Sequence, residues 1–473
     1  MKNTLLHKIV ILSLCCLFAH VLYSQSKVEI KIDLSERGIN IPEDFIGLSF
    51  EMEKVLPDIS GKYFFSPSNK SLVEMFKMLG IKSLRLGGNT ADRPTIRVPD
   101  ETDIDTLFAF ARAVGVKVIY TLRLKLGDPN RAAEIAEYII DNYKSFLDCF
   151  AIGNEPNVFA KDYPSYKTEW KKYADRIKAK SPEAEFCGPG STPGKSEWSR
   201  NFTEDFEKSG LIKYITQHSY PGGNGRKVTD PALGCSDMLS KKWVESYQSF
   251  YDSFVPFIQS KNFSCRLEET NNFFHGGAIN VSNTFASALW GLDYMFWWVQ
   301  HGVGGINFHT GDSIAAGEFT SPCMYAAFVT SQNGYSVRPL GYAIKAFALV
   351  DNGKIFPVQI VSNPDSINFT AYAVLSPNKD LFITLINKEI ELEGKNPEIN
   401  LITSYPFTNG EIMFLNSSTD LAATSGIKLG GEEITEDVKW NGMWTPLLKS
   451  GNGSKYVFNL PGASVALVKL YKK

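Results

Sequence analysis

The stretch Leu147-Asp148-Cys149-Phe150-Ala151-Ile152-Gly153-Asn154-Glu155-Pro156-Asn157 carries, in eleven residues, both halves of the argument for this chain. Its first six residues form a short, mostly apolar run that ends at a glycine, the pattern of a buried strand. A carboxylate then follows directly on the strand end, between two asparagines and before a proline. Pro156 cannot continue a hydrogen-bonded ladder and fixes a turn. Taken alone, the loop has a plainer reading, a polar turn in which Asn157 caps the next helix.

Runs of the same kind recur on both sides. Upstream are Phe45–Phe50, Ile81–Leu86 and Val116–Leu122, and downstream are Glu185–Gly188, Tyr214–His218, Ser264–Glu268 and Val303–Phe308. Helical spacing of apolar residues separates them at Ser71–Leu79, Asp103–Val114, Asn130–Tyr143, Ser165–Ile177 and Val281–Val299. Strands alternating with helices imply a parallel sheet. Eight such units over about 300 residues predict a (β/α)8 TIM barrel of the α/β class. The competing open doubly wound sheet needs a glycine-rich phosphate loop after its first strand, and Phe50-Glu51-Met52-Glu53 stands there instead.

Past residue 351 the pattern changes to short β-type runs: Val358–Val361, Ile367–Val374, Leu381–Leu385, Ile399–Ile402, Ile412–Leu415, Tyr456–Leu460 and Ser464–Leu470. Turn signals such as Ser376-Pro377-Asn378 and Pro461-Gly462 divide them, which predicts a C-terminal β-sandwich over 351–473. The alternating run Val28–Leu34 lies in an N-terminal segment, 25–44, and is expected to join that sandwich. The barrel then occupies 45–350. Residues 1–24 combine Lys2 and Lys8 with the apolar run Ile9–Phe18. Ten apolar residues are too few to span a bilayer, and the pattern is that of a secretory signal peptide. The expected location is secreted or periplasmic, with no membrane association beyond that peptide.

The 473 residues carry 49 Lys+Arg against 51 Asp+Glu. That balance argues against a nucleic-acid partner, which selects a basic excess. The five cysteines after the first segment, Cys149, Cys187, Cys235, Cys265 and Cys323, show no CxxC pair, and burial as small hydrophobes is their expected role. No His/Asp/Cys spacing suggests a metal site, and no cofactor is expected. Sixty residues are Phe, Tyr or Trp. Trp290, Trp297 and Trp298, on the helix after the seventh run, are expected in the core.

In a barrel of this type chemistry collects where strands end at their C-termini. Glu155 follows the fourth run, and Glu268-Glu269 stand at the end of the seventh. Two carboxylates on one barrel face suit glycoside hydrolysis. Three stretches together resemble glycoside hydrolase family 79, the heparanase and β-glucuronidase family of the clan A barrel glycosidases. They are Arg85-Leu86-Gly87-Gly88-Asn89-Thr90, Ala151 to Asn157, and Glu269-Thr270 through Gly276-Gly277 followed by Ser282-Asn283-Thr284-Phe285-Ala286.

The resemblance implies a retaining mechanism, with Glu155 as general acid/base and Glu269 as nucleophile. It implies that Asn154 contacts the sugar 2-hydroxyl and that Glu268 points away from the axis. It also brings a carbohydrate substrate, a β-glucuronide or related glycoside. Tyr220 would orient the nucleophile. Glu51, Asn89 and Thr90 would bind sugar hydroxyls, while Gly87 and Gly88 permit a tight turn. His218 and His309 either support the site or are core. Gly276 with Gly277 matches the family's backbone-amide site for the uronate carboxylate, and Tyr325 its tyrosine. The chain departs from the family at Phe274, where several members carry a tyrosine; the neighbouring His275 is a substitute cation below neutral pH. Two other readings stay open: an endo-acting heparanase-type enzyme or an exo-glycosidase for another sugar, and an inactive carbohydrate-binding protein on the same scaffold.

Overall fold

The apolar runs close on themselves. In a computed structural model describing residues 26–316, 319–389, 395–417, 420–450 and 454–472, eight parallel strands form a closed barrel in sequential order. They are Ile46–Glu51, Ser83–Gly87, Lys117–Leu122, Leu147–Ile152, Phe186–Ser191, Ile212–Ser219, Ser264–Thr270 and Gly305–His309, called here strands one to eight. Strand eight pairs with strand one to close the ring. The predicted signal peptide lies outside the described residues.

The helices form for local reasons. Asp128 and Asp230 cap helices that begin at Pro129 and Pro231, where a missing N–H costs nothing. Asp100 and Asp103 make a reciprocal capping box at the start of Glu101–Val114. The helix Phe285–Gln300 is apolar on every side and almost wholly buried, as expected of an element enclosed by other elements. It carries Trp290, Trp297 and Trp298 in the core. The helices Ser196–Phe206, Pro231–Met238, Lys241–Ser260 and Pro339–Ala348 were not legible as separate units.

The C-terminal β domain consists of two sheets. A four-stranded sheet runs Val358–Ser362, Lys27–Ile32, Glu398–Thr403, Lys455–Asn459. The N-terminal strand is thus internal, antiparallel to 358–362 and parallel to 398–403. The larger sheet centres on Phe369–Leu375, Leu381–Asn387, Ser464–Lys472 and Phe407–Ser417. Inner faces of the two sheets share one apolar cluster that includes Val28, Ile30, Ile383, Leu401 and Val468.

The other face of the larger sheet packs on the barrel. Tyr372 stacks on Phe296 at 4.7 Å. Asp293, on the Phe285–Gln300 helix, accepts from the Tyr372 hydroxyl at 2.6 Å and pairs with Lys388 at 3.0 Å. Both charges of that pair are buried, so loss of either partner strands the other.

Two antiparallel hairpins follow strand eight, Ser313–Ala316 with Phe319–Pro322 and Phe328–Ser331 with Gly334–Val337. They were not anticipated from the sequence. The five cysteines are buried and free.

Candidate active site

Strand seven decides what faces the barrel interior. Between its neighbours' pairs it carries one extra residue. Thr216 and His218 of strand six oppose Arg266 and Glu269, and Ile306 and Phe308 of strand eight oppose Leu267 and Thr270. Both partners step two residues where strand seven steps three, which is a β-bulge. Simple alternation would turn Glu268 outward. The bulge instead brings Glu268 and Glu269 to the same side, and Glu268 contacts strands two, five and six inside the barrel. The expectation that Glu268 points away from the axis is corrected.

Arg85, on strand two, is fully buried and organises the floor of the site. Its Nη1 donates to Oε2 of Glu269 at 2.6 Å and to Oγ of Ser49 at 3.1 Å. Its Nη2 donates to Oδ1 of Asn154 at 2.8 Å. A guanidinium here needs space that any Cβ at position 87 would take, since that atom would lie 2.2 Å from Cζ of Arg85. At Gly88, φ is +65° and a Cβ would lie 2.4 Å from Oε2 of Glu51. The glycine pair therefore makes room for two charged side chains, and turn geometry is the lesser reason for it.

Glu269 receives a second donor, the Tyr220 hydroxyl at 2.9 Å on Oε1. Nδ1 of His218 lies 3.7 Å from Oε1, and Nδ1 of His309 lies 3.9 Å from Oε2. Burial pushes the Glu269 carboxyl up, but His309, His218, Arg85 and the Tyr220 hydroxyl outweigh it and hold the group well below the usual carboxylate range. Burial, reinforced by Glu269, keeps Tyr220 protonated and so available as a donor. For His309, burial opposes the charge, yet Glu269 and Glu51 prevail and push its pKa up.

Glu155 sits at the end of strand four in the left-handed region, φ 48° and ψ 52°. An L-residue pays about 1–2 kcal/mol for that conformation. Its N–H donates to the carbonyl of Gly190 at 3.1 Å, and Asn157 clasps the next loop through Thr192 in both directions. Asn157 thus ties two loops together and does not cap the following helix, whose cap is Asp162. Asp92 accepts from the backbone N–H groups of Leu124, Lys125 and Asn154, which fixes the loop that carries Glu155. Oε1 of Glu155 lies 2.9 Å from Nδ1 of His218.

A cavity of about 340 Å³ opens above this floor. Its lining includes Glu155, Glu269, Asn89, Tyr220, Phe274, His275, His309 and Tyr325 from the predicted set, with Thr192, Pro193, Ile314 and Ala315 in addition. Glu51, Thr90, Asn154 and His218 are buried behind its walls. The Thr90 hydroxyl and N–H both go to Oε2 of Glu51, so the expected sugar donor is engaged within the protein. Oε1 of Glu51 accepts from Ala315 N, which ties the first hairpin to the site. Gly276 lies at a seam: its carbonyl accepts from Met324 N at 2.6 Å, and a Cβ there would meet the Pro322 carbonyl at 2.5 Å. Tyr325 is buried with its ring 6.2 Å from that of Tyr220.

His275 has φ +64°. Burial and the neighbouring charge of Arg226 push its pKa down, with Glu155 opposing. Arg226 itself donates to Oγ of Ser321 at 2.7 Å, across two loops of the mouth.

Among the described residues, one group has the spacing to approach a metal ion: Glu155, His218 and Glu269, whose nearest ligand atoms lie within 4.8 Å of one another. The Arg85 guanidinium already stands 2.6 Å from Glu269. A fixed cation at that distance disfavours a second one, and the trio reads as an acid–base constellation.

Arg85, Ser49 and Asp92 received no role from sequence. For Arg85 the signal was present: a guanidinium inside the apolar run Ile81–Leu86 must be paired if that run is a buried strand.

The architecture, a closed (β/α)8 barrel with a C-terminal β domain, is that of glycoside-hydrolase structures. The chain superposes on a 4-O-α-L-rhamnosyl-β-D-glucuronidase from Fusarium oxysporum 12S with a TM-score of 0.72 and 17% identity, covering 93% of this chain and 100% of that one. A GH51 arabinofuranosidase from Xanthomonas axonopodis pv. citri gives a TM-score of 0.66 at 14% identity, over 94% of this chain and 100% of the other. In sequence, the chain is similar to a β-glucuronidase of Aspergillus niger, 24% identical over 332 residues. That match takes in 59% of this chain and 60% of the relative's length. No protein-family model matches the chain.

Proposed function

We propose that the chain is a retaining glycoside hydrolase of family 79 acting on β-glucuronides, exported after removal of residues 1–24. The observation that carries this reading is the meeting of two carboxylates at the cavity. One oxygen of Glu155 and one of Glu269 lie within 4.8 Å of each other, in keeping with the short separation, about 5–5.5 Å, of retaining enzymes.

The roles follow from the surroundings. Glu269 is kept ionised by Arg85 and the two histidines, which suits a nucleophile. Arg85 and Tyr220 hold one oxygen each, so the attacking lone pair is oriented before substrate arrives. Glu269 attacks the anomeric carbon while Glu155 gives its proton to the leaving oxygen, which keeps the electron pair of the broken bond. Glu155 then takes a proton from water as the glycosyl–enzyme ester is hydrolysed.

Support for a uronide comes from His275 on the cavity wall, with the permanent charge of Arg226 beside it. Arg226 offers a positive side for a sugar carboxylate, and His275 adds to it as the pH falls, although Phe274 contributes no hydroxyl. The glucuronidase names of the two fungal proteins point the same way.

The test is a panel of aryl β-glycosides. Hydrolysis of the β-glucuronide with retention, abolished in Glu269→Gln by about 10⁴-fold or more, is the expected result. Hydrolysis of neutral glycosides alone would refute the uronide preference, and an active Glu269→Gln would refute the mechanism.

A further inference from the structure

Glu155 and Glu269 account for the proposed chemistry, but a third carboxylate lies directly beneath them. Glu268 is 1% exposed, and only the strand-seven bulge turns it inward. Its neighbours come from three other strands. Nε of Arg85 is 3.9 Å from Oε2, Nε2 of His218 is 4.0 Å from Oε1, and the Cys187 thiol points at Oε2 from 3.8 Å. Gly190 leaves the space in which this carboxylate meets the imidazole: a Cβ there would lie 2.5 Å from Oε1 of Glu268 and 3.6 Å from Nε2 of His218.

A buried carboxylate is costly unless charge or hydrogen bonding compensates it. Two buried nitrogen atoms beside it, Nε of Arg85 and Nε2 of His218, have no hydrogen-bond partner among the described residues. Gaps near 4 Å are charge contacts and not yet hydrogen bonds. Such contacts often tighten when a substrate fills a site.

His218 stands between three carboxylates. Nδ1 faces Glu155 at 2.9 Å and Glu269 at 3.7 Å, while Nε2 faces Glu268. Arg85 opposes the latter two from strand two, and His309 faces Glu269 from strand eight. The Cys187 thiol, held neutral by burial, adds no charge of its own. A neutral imidazole carries one proton, and at 2.9 Å a protonated Glu155 donates to Nδ1, which leaves Nε2, the side that faces Glu268, for the proton of the ring.

We infer that Glu268 is a positioning residue for the acid/base: it holds a proton on Nε2 of His218, so that Nδ1 is the nitrogen that shares a proton with Glu155. One proton moves along the 2.9 Å contact. On Oε1 of Glu155 it donates to the Nδ1 lone pair, and on Nδ1 it donates to the carboxylate. No other group gains or loses a proton. This role rests on the hydrolase reading for the proton on Glu155 and for its kinetic consequence.

The full chain labelled with nitrogen-15 histidine tests the tautomer without any turnover, His218 being assigned by the signal lost in His218→Asn. At a pH where the imidazole is neutral, His218 is expected as the Nε2-protonated tautomer. In Glu268→Met, which removes the acceptor, the Nδ1-protonated form should appear. In Glu268→Gln, which keeps an acceptor and removes the charge, the alkaline limb of kcat/KM for an aryl β-glucuronide should move down by about one pH unit, with KM within about twofold. An Nδ1-protonated His218 in the parent chain, or an unmoved limb in Glu268→Gln, overturns the inference. Should Glu268→Met fail to fold, the parent tautomer and Glu268→Gln decide. If the parent chain cleaves no aryl glycoside, the hydrolase reading fails and the tautomer alone decides the role of Glu268.

Discussion

The Arg85 guanidinium and the Glu269 carboxylate meet at 2.6 Å on the barrel floor, joined from strands two and seven. Replacing Arg85 with Met should leave Glu268 and Glu269 buried without the guanidinium, with histidines as the remaining cationic neighbours among the described residues. The expected loss is about 3–5 kcal/mol of stability, measured by denaturant unfolding. Arg85→Lys should recover part of the stability and little activity, because an ammonium cannot reach Glu269, Ser49 and Asn154 together.

The same pair gives stability a pH dependence. The folded-state pKa of Glu269 is lowered, so its contribution is present above the unfolded value of about 4.3 and is lost as pH falls through the folded value. Unfolding free energy should therefore fall on the acid side more steeply in the parent chain than in Glu269→Gln. Equal slopes would mean that Glu269 titrates alike in both states. His309 has the opposite sign: its pKa is raised, so its contribution is present below about 6.5 and lost as pH rises through the folded value.

Tyr220 donates to the oxygen of Glu269 that Arg85 leaves free. Removing only that hydroxyl in Tyr220→Phe should lower kcat by about 10–100-fold, the cost of one hydrogen bond to a charged group. KM and the melting temperature should change little. A fall in stability as large as the fall in rate would mark the tyrosine as structural.

Gly190 occupies the left-handed region, φ +61°, against Glu268. Gly190→Ala adds backbone strain of about 1–2 kcal/mol and a steric conflict with the carboxylate. The two costs separate in a double-mutant cycle. With Glu268→Ala in the background the conflict disappears, and Gly190→Ala should then cost only the strain.

His275 and Arg226 bear on specificity. His275→Phe or Arg226→Met should raise KM for an aryl β-glucuronide by about tenfold, the loss of one charged contact, and leave KM for the matching glucoside in place. Because burial and Arg226 lower the His275 pKa, the effect of His275→Phe should grow as the assay becomes more acidic. Parallel changes for both sugars would show that these side chains shape the cavity without reading the carboxylate.

The barrel was legible because each of its strands is a short apolar run and each run is followed by an amphipathic helix or a turn. Leu147–Ile152 is found where its pattern put it. The inward turn of Glu268 was not legible, since a bulge is set by pairing with both neighbouring strands and leaves no mark in the strand's own residues. Thr90 was read as a sugar donor because it follows a strand at the mouth, but Glu51, distant in sequence, takes both its donors. The hairpins after strand eight escaped notice because Ser313–Pro322 is short and half polar, and the contacts that hold it, with Asn89 and Glu51, are distant in sequence.

The strand Lys27–Ile32 lies inside the four-stranded sheet, between segments that are made more than 300 residues later. On the ribosome, that strand emerges long before either of the neighbours it pairs with and waits until both have been synthesised. A fragment spanning only 351–473 would therefore carry a sheet with a missing middle. An excised β domain should be recoverable only when a peptide covering residues 26–34 is supplied or grafted onto it.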